Sequence, residues 1–206
     1  MLWIHILTDF TAPMTKLTAV NICLNSVGEN KITSLLTMGI DATEIADILD
    51  EHTAYTQDKG WTWNREWHLL SPDNSGFINL PSNCLRANTY GQSRQTPAVQ
   101  RGLRMFDQIN NTFVWTVPLN LQMYISLPFD LLPAGVKNYI TYASAAISQN
   151  RLLGSDAVDA KLEKKAGDAW NSMLRDDIFE AGYNMLSGSN SVRGVLNRGN
   201  FNRGGL

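Results

Sequence analysis

The chain has 206 residues, 44% of them hydrophobic and 17% charged, with 17 Lys and Arg against 19 Asp and Glu for a formal net charge of −2. That length accommodates one compact domain, or a helical layer and a sheet layer sharing a core. Near-neutrality excludes a globally basic nucleic-acid coat, and the absence of a long like-charge block excludes a charged disordered tail. No apolar run approaches the ~20 residues that cross a bilayer. Cys23 and Cys84 fit neither a disulfide scaffold nor a zinc site and are read as two reduced thiols. The low charged fraction leaves neutral surface of the kind that other subunits bury.

Charge is unevenly spread. Residues 1–62 hold 3 basic and 8 acidic groups, residues 63–129 hold 5 and 3, residues 130–182 hold 6 and 8, and residues 183–206 hold 3 and none. The middle is mildly basic and the tail is basic. Residues 1–13 are read as an N-terminal extension. Their apolar run lacks a basic start and contains His5, which argues against a signal peptide, and Met14 is an alternative start.

Residues 15–27 set Leu17, Val20, Cys23 or Leu24, and Val27 on one helical face, and Gly28 stops the helix. A second helix is expected from Asp41, with Asp41 and Glu44 as a capping box. Its stripe is Ile45, Ile48, Leu49, His52 and Tyr55, and Gly60 ends it. From Trp61 to Phe129 the texture is that of strands. Trp61, Trp63 and Trp67 share the parity of one strand face, Ser71–Gly76 is a turn cluster, and Phe77–Leu80 is a short strand ended by Pro81. Residues 91–101 read as a loop. Leu103–Phe106 and Thr112–Val117 flank Asp107–Asn111 as a hairpin would. Leu119–Leu127 alternates most cleanly.

Helices return after Phe129. Pro133 suits a first turn, and Val136, Tyr139 or Ile140, Ala143, Ala146 or Ile147, and Leu152 trace a stripe up to Gly154. Asp156 opens the last helix, to about Ala181, with Leu162, Ala166, Ala169 or Trp170, Met173 or Leu174, and Ile178 inward. The fold class is therefore α+β: about four helices, two N-terminal and two C-terminal, with an inserted antiparallel β-rich region and an extended C-terminal arm. The parts are 1–13; 14–60 with 130–186; 61–129; and the arm 187–206. The arm is rich in Gly, Asn, Ser and Arg and cannot build a core, yet Val192, Val195, Leu196, Phe201 and Leu206 alternate with Arg193, Arg198 and Arg203. Apolar residues in that setting suit a segment that orders on a partner.

No catalytic or cofactor pattern stands out: no GxxxxGK[ST], GxGxxG after a strand, HExxH, CxxC or GxSxG. His5, His52 and His68 are too scattered for a metal site. The carboxylates Asp47/Asp50/Glu51 and Asp176/Asp177/Glu180 fall on polar helix faces. Glu66 and Asp73 are the nearest thing to a glycosidase pair. Arg86, Arg94, Arg101 and Arg104 lie beside aromatics without an RNP-like or OB-like pattern.

Several segments nevertheless resemble the tail tubular protein A family, the head-to-tail adaptors of short-tailed phages. They are Ala19-Val20-Asn21 with Leu24–Glu29, Gly60-Trp61-Thr62-Trp63-Asn64-Arg65-Glu66, Leu80-Pro81, Asp130–Pro133 ahead of Ala143, Ala146, Asn150 and Leu153-Gly154, and Gly182–Leu186. The pieces are collinear from about 17 to 186. The resemblance implies a non-enzymatic virion protein at the head–tail junction, assembled in the host cytoplasm, without cofactor and without membrane contact. It implies a homo-oligomeric ring of twelve between the portal protein and the tail nozzle (tail tubular protein B), tail fibres nearby, and only transient, non-specific contact with genomic DNA in the channel. On that footing Arg193, Val195, Leu196, Arg198, Phe201 and Arg203 form a portal-binding arm. Arg86, Arg94, Arg101 and Arg104 are candidates to face nozzle or fibre. The alternative is a tail-associated peptidoglycan-degrading enzyme using Glu66 and Asp73.

Overall fold

The computed structural model describes residues 14–154 and 156–181. Within them run α1 (Lys16–Ser26), α2 (Ile40–Asp58), β1 (Arg65–Leu70), β2 (Cys84–Thr89), β3 (Ala98–Arg101), β4 (Arg104–Asp107), β5 (Leu119–Ile125), α3 (Ala134–Leu152) and α4 (Asp156–Glu180). This is the α+β order expected, two helices, an antiparallel β region and two further helices. The N-terminal extension and the arm lie outside the described residues. The chain forms two compact units: residues 14–59 with 126–170, and residues 60–125 with 171–181.

In the helical unit, α1 starts where the Thr15 hydroxyl accepts from the Thr18 N–H, and it ends at Gly28, whose φ of +80° suits a residue without Cβ. The Asn21 side chain then holds the following loop, donating to the Ile32 carbonyl (3.0 Å) and accepting from the Ile32 N–H (2.8 Å). Ala19, Val20, Cys23 and Leu24 are buried. Small side chains let α1 lie close to α3: the Cys23 thiol points at the Thr141 carbonyl (3.6 Å), and the Ser26 hydroxyl lies 3.4 Å from that of Ala145. Leu24, Ile45, Leu49 and Ile140 are fully enclosed, each stabilising the unit by about 1.5–3 kcal/mol.

α2 departs from expectation at both ends of its stripe. Its N-cap is Gly39, without a side-chain cap, so Asp41 and Glu44 form no capping box. Thr43 instead returns both its N–H and its hydroxyl to the Gly39 carbonyl. Ile45, Ile48 and Leu49 are buried, but Tyr55 is 60% exposed. The inward positions after Leu49 are Thr53, Thr56 and Gln57. Thr53 and Thr56 spend their hydroxyls on carbonyls four residues back. Gln57 accepts from the Leu127 N–H (2.7 Å) and donates to the Leu127 carbonyl (2.9 Å), fixing the chain as it approaches α3.

α3 shows the same masking of polarity. Its buried face is Val136, Ile140 and Ala145 with Lys137, Thr141, Ser144, Ser148 and Gln149, rotated from the expected alanine stripe. Thr141 and Ser148 bond carbonyls of their own helix, and the Lys137 ammonium donates to the Asp130 carbonyl (2.7 Å). The half-buried edge with Tyr139 meets α4, the Tyr139 and Trp170 rings being 4.9 Å apart. Leu162 and Met173 of α4 are buried as expected, whereas Ile178 is exposed.

In the β unit the sheet order is β1-β5-β2, all antiparallel. β5 is central because it alternates: Leu119, Leu121, Met123 and Ile125 are buried, and the residues between are half-buried. Ile78, Met105, Phe106 and Trp115 add to this core, with the Trp115 indole donating to the Met105 carbonyl (2.9 Å). The outer side of β2 is occupied where the Ala87 N–H donates to the Gln100 side chain (2.7 Å). β1 pairs with β5 alone among the described residues, and its middle four residues, Trp67 and Leu69 included, are exposed.

Four expectations fail here. Trp61, Trp63 and Trp67 do not share a strand face: β1 begins only at Arg65, and Trp61 is buried in a turn whose N–H the Asn64 side chain accepts (2.8 Å). Phe77 and Asn79 make isolated bridges to Val114 and Arg104, not a strand. Residues 91–101 are not all loop, because Ala98–Arg101 is β3. β4 pairs with β3 and not with 112–117. The two-residue link Gly102-Leu103 takes the hairpin, with Gly102 at φ +60°. Asp107–Asn111 is a separate turn closed by a single bridge from Asp107 to Thr112.

Candidate functional site

Two carboxylates organise the loops of the β unit. Asp73 accepts from the N–H groups of Ser75 (2.8 Å) and Phe77 (2.9 Å) and from the Asn79 amide (2.7 Å). These bonds, that from Phe77 foremost, hold its pKa below the ordinary carboxylate value. Asp107 does the same in its own turn, accepting from the Asn110 side chain and from the N–H groups of Ile109 and Asn110, with the same downward effect. Glu66 is bonded to His68 at 2.7 Å. A general acid needs a raised pKa, and Asp73 is shifted the opposite way.

Three of the four arginines named from sequence stack on aromatic rings of this unit. Arg86 lies 4.5 Å from the Tyr124 ring centroid, Arg104 4.3 Å from Phe77, and Arg101 3.5 Å from Phe106. Such stacking positions a guanidinium without consuming its donors. Arg104 also donates to the Asn79 side chain (3.1 Å). Arg101 and Arg104 are cross-strand partners astride Gly102-Leu103, and Leu103 is half-exposed at the tip. Arg94 caps a short 3-10 turn, Gly91–Ser93, and is exposed. The hairpin thus brings together two of the four arginines named from sequence. The six arm residues, Arg193 to Arg203, lie outside the described residues.

The helical unit carries a face that sequence reasoning passed over. Leu36 is 94% exposed and Ile40 87% exposed, flanking the α2 N-terminus. Ile40 shares a depression of about 390 Å³ with Met38, Gly39, Thr43, Glu44 and Asp47. The signal available was an apolar pair outside any periodic stripe, next to an acidic first turn. His52, placed in the stripe of α2, is half-buried. Its ring lies 5.5 Å from Tyr139 and 6.0 Å from Tyr55. Burial, then the Lys59 ammonium, pushes its pKa below 6.5, with Glu51 opposing. Burial also pushes the Cys23 thiol up to about 12 and raises that of Cys84.

Among the described residues no cluster of three or more His, Cys, Asp or Glu could hold a metal, and no helix is long and apolar enough to cross a membrane. What the surfaces offer is exposed apolar side chains beside charge, the composition of protein contacts. In comparison with known proteins, a family model described as tail tubular protein matches residues 17–183, taking in both units. No curated protein matches the chain.

Proposed function

The chain belongs to the tail tubular protein family, which makes it a structural protein of a phage tail, and on that premise we propose that it is a head-to-tail adaptor of the tail tubular protein A kind. In this reading copies close into a ring between portal and nozzle in a short-tailed phage, and the genome passes through the central channel. The observation that carries the reading is the extent of the family match, from the first turn of α1 past the end of α4. The exposed apolar residues of both units support it, because a ring subunit completes its buried surface against neighbours. Residues 187–206 reach along the portal, Arg193, Arg198 and Arg203 meeting carboxylates and Val195, Leu196 and Phe201 filling apolar grooves.

Electron microscopy of the chain mixed with its cognate portal tests the reading. A ring stacked coaxially on the portal is expected, and a chain that stays unassociated with portal and absent from the particle collar overturns it. Deleting residues 187–206 should weaken portal binding while leaving helical circular dichroism intact; unchanged affinity removes the arm's role. The adaptor reading has no catalytic step. The engagement of Glu66 with His68 and of Asp73 with its own turn supports treating both as structural, and a zymogram with purified protein should show no clearing.

A further inference from the structure

The hairpin tip and the α2 face are complementary. The tip is Arg101-Gly102-Leu103-Arg104, an exposed leucine between two guanidiniums that stand opposite one another across the strands. Like charges in direct cross-strand register oppose a hairpin; Arg101 rests on Phe106 and Arg104 on Phe77 and Asn79, and among the described residues neither has a carboxylate within ion-pair distance. On the other side, Ile40, Thr43, Glu44 and Asp47 are exposed along one face of α2, Asp41 beside them in its first turn. Of the acids on this helix, Asp50 is bonded to Lys16 (2.7 Å) and Glu51 faces Arg151 (3.8 Å). Among the described residues Asp41, Glu44 and Asp47 have no basic group within ion-pair distance.

The geometry points to a head-to-tail contact between copies of this chain, in which Leu103 of one copy seats beside Ile40 and Met38 of the next, while Arg101 and Arg104 pair with Glu44 and Asp47. The inference rests on the ring reading and names the surfaces that close it. Charge complementarity selects the occupant: the α2 face offers carboxylates around an apolar floor, and the tip presents cations around an apolar knob. Because the two surfaces differ, a dimer keeps one tip and one face unused, and the contact propagates instead of ending there. A phosphate backbone would engage the arginines but leave Leu103 and the α2 face without a role.

The test is disulfide trapping in the full-length chain carrying Ile40→Cys and Leu103→Cys. Both positions are solvent-accessible, and the native cysteines are buried. Under mild oxidant the double variant should give a ladder of dimers, trimers and longer species on a non-reducing gel. An equimolar mixture of the two single variants should stop at dimers. Adding Arg101→Glu and Arg104→Glu should reduce the trapped fraction about tenfold, and Glu44→Arg with Asp47→Arg in the same chain should restore it. A double variant that stays monomeric, stops at dimers, or forms a ladder indifferent to charge reversal overturns the contact. Rings on the portal without trapping would sink this contact and spare the adaptor reading; trapping without rings would do the reverse.

Discussion

The Gln57 side chain ties α2 to the segment that leads into α3, and replacing it with leucine tests that arrangement. Gln57 is fully buried and bonds both backbone groups of Leu127, at 2.7 and 2.9 Å. Each bond contributes about 1 kcal/mol net, and each backbone group left without a partner away from water costs about 1–3 kcal/mol. Leu127 is half-buried, so water reaches part of the way and the lower figures apply. Leucine regains about 1 kcal/mol through its own burial. The net expectation for Gln57→Leu is a loss of about 2–3 kcal/mol, read as a lowered urea midpoint at unchanged slope. Gln57→Glu adds a directional check. A protonated carboxyl can replace the amide, donating to the Leu127 carbonyl and accepting from its N–H, whereas the ionised form cannot donate and is desolvated. Its pKa is therefore raised on folding, so stability should be nearly retained below pH ~4.3 and lost as pH rises through the raised value. A Gln57→Leu chain within about 0.5 kcal/mol of the parent, or a Gln57→Glu chain with no such pH dependence, would refute the clamp.

Three further outcomes are expected. The folded pKa of His52 is lowered, so its contribution to stability is complete above pH 6.5 and declines as pH falls below that through the folded value. His52→Phe should flatten this part of the melting-temperature profile. Asp73 is also lowered, from 3.8, so the stability it confers is present above pH 3.8 and lost as acid protonates it. Asp73→Ala should raise the pH of acid unfolding, and carboxyl NMR titration should place Asp73 below a free aspartate. Gly60→Ala introduces a Cβ at φ +80° that meets the Arg86 guanidinium and the Tyr124 ring. It should cost about 1–3 kcal/mol in thermal melts, against about 1 kcal/mol for Gly28→Ala, where φ is also +80° and nothing lies within 4 Å.

Where burial and hydropathy coincide, the elements were readable. β5 alternates strictly, α1 is a compact apolar helix ended by a glycine, and Gly154 at φ +64° stops α3. Legibility fails where polar residues satisfy themselves locally. Thr141 and Ser148 are buried on α3 with their hydroxyls on carbonyls of their own helix, yet any apolar count assigns the inner face to the alanines. β3 is Ala-Val-Gln-Arg, too polar and too short to register as a strand, and the pairing of Arg101 with Arg104 becomes visible only once that strand is recognised. The acids of α2 look like a solvated face in sequence. What distinguishes Asp41, Glu44 and Asp47 from Asp50 and Glu51 is the long-range approach of Lys16 and Arg151 to the latter pair, which spacing along one helix does not encode.

The bare side of β1 bears on how such a protein is made in quantity. A six-residue strand with Trp67 and Leu69 in the open is a template for stray stacking in an overproducing cell. Arg65, Glu66 and His68 are interleaved with those apolar residues, the polar pattern that discourages pairing at an open edge. Replacing Glu66 and His68 with apolar residues should raise the aggregated fraction on overproduction while leaving the buried positions of β5 in place.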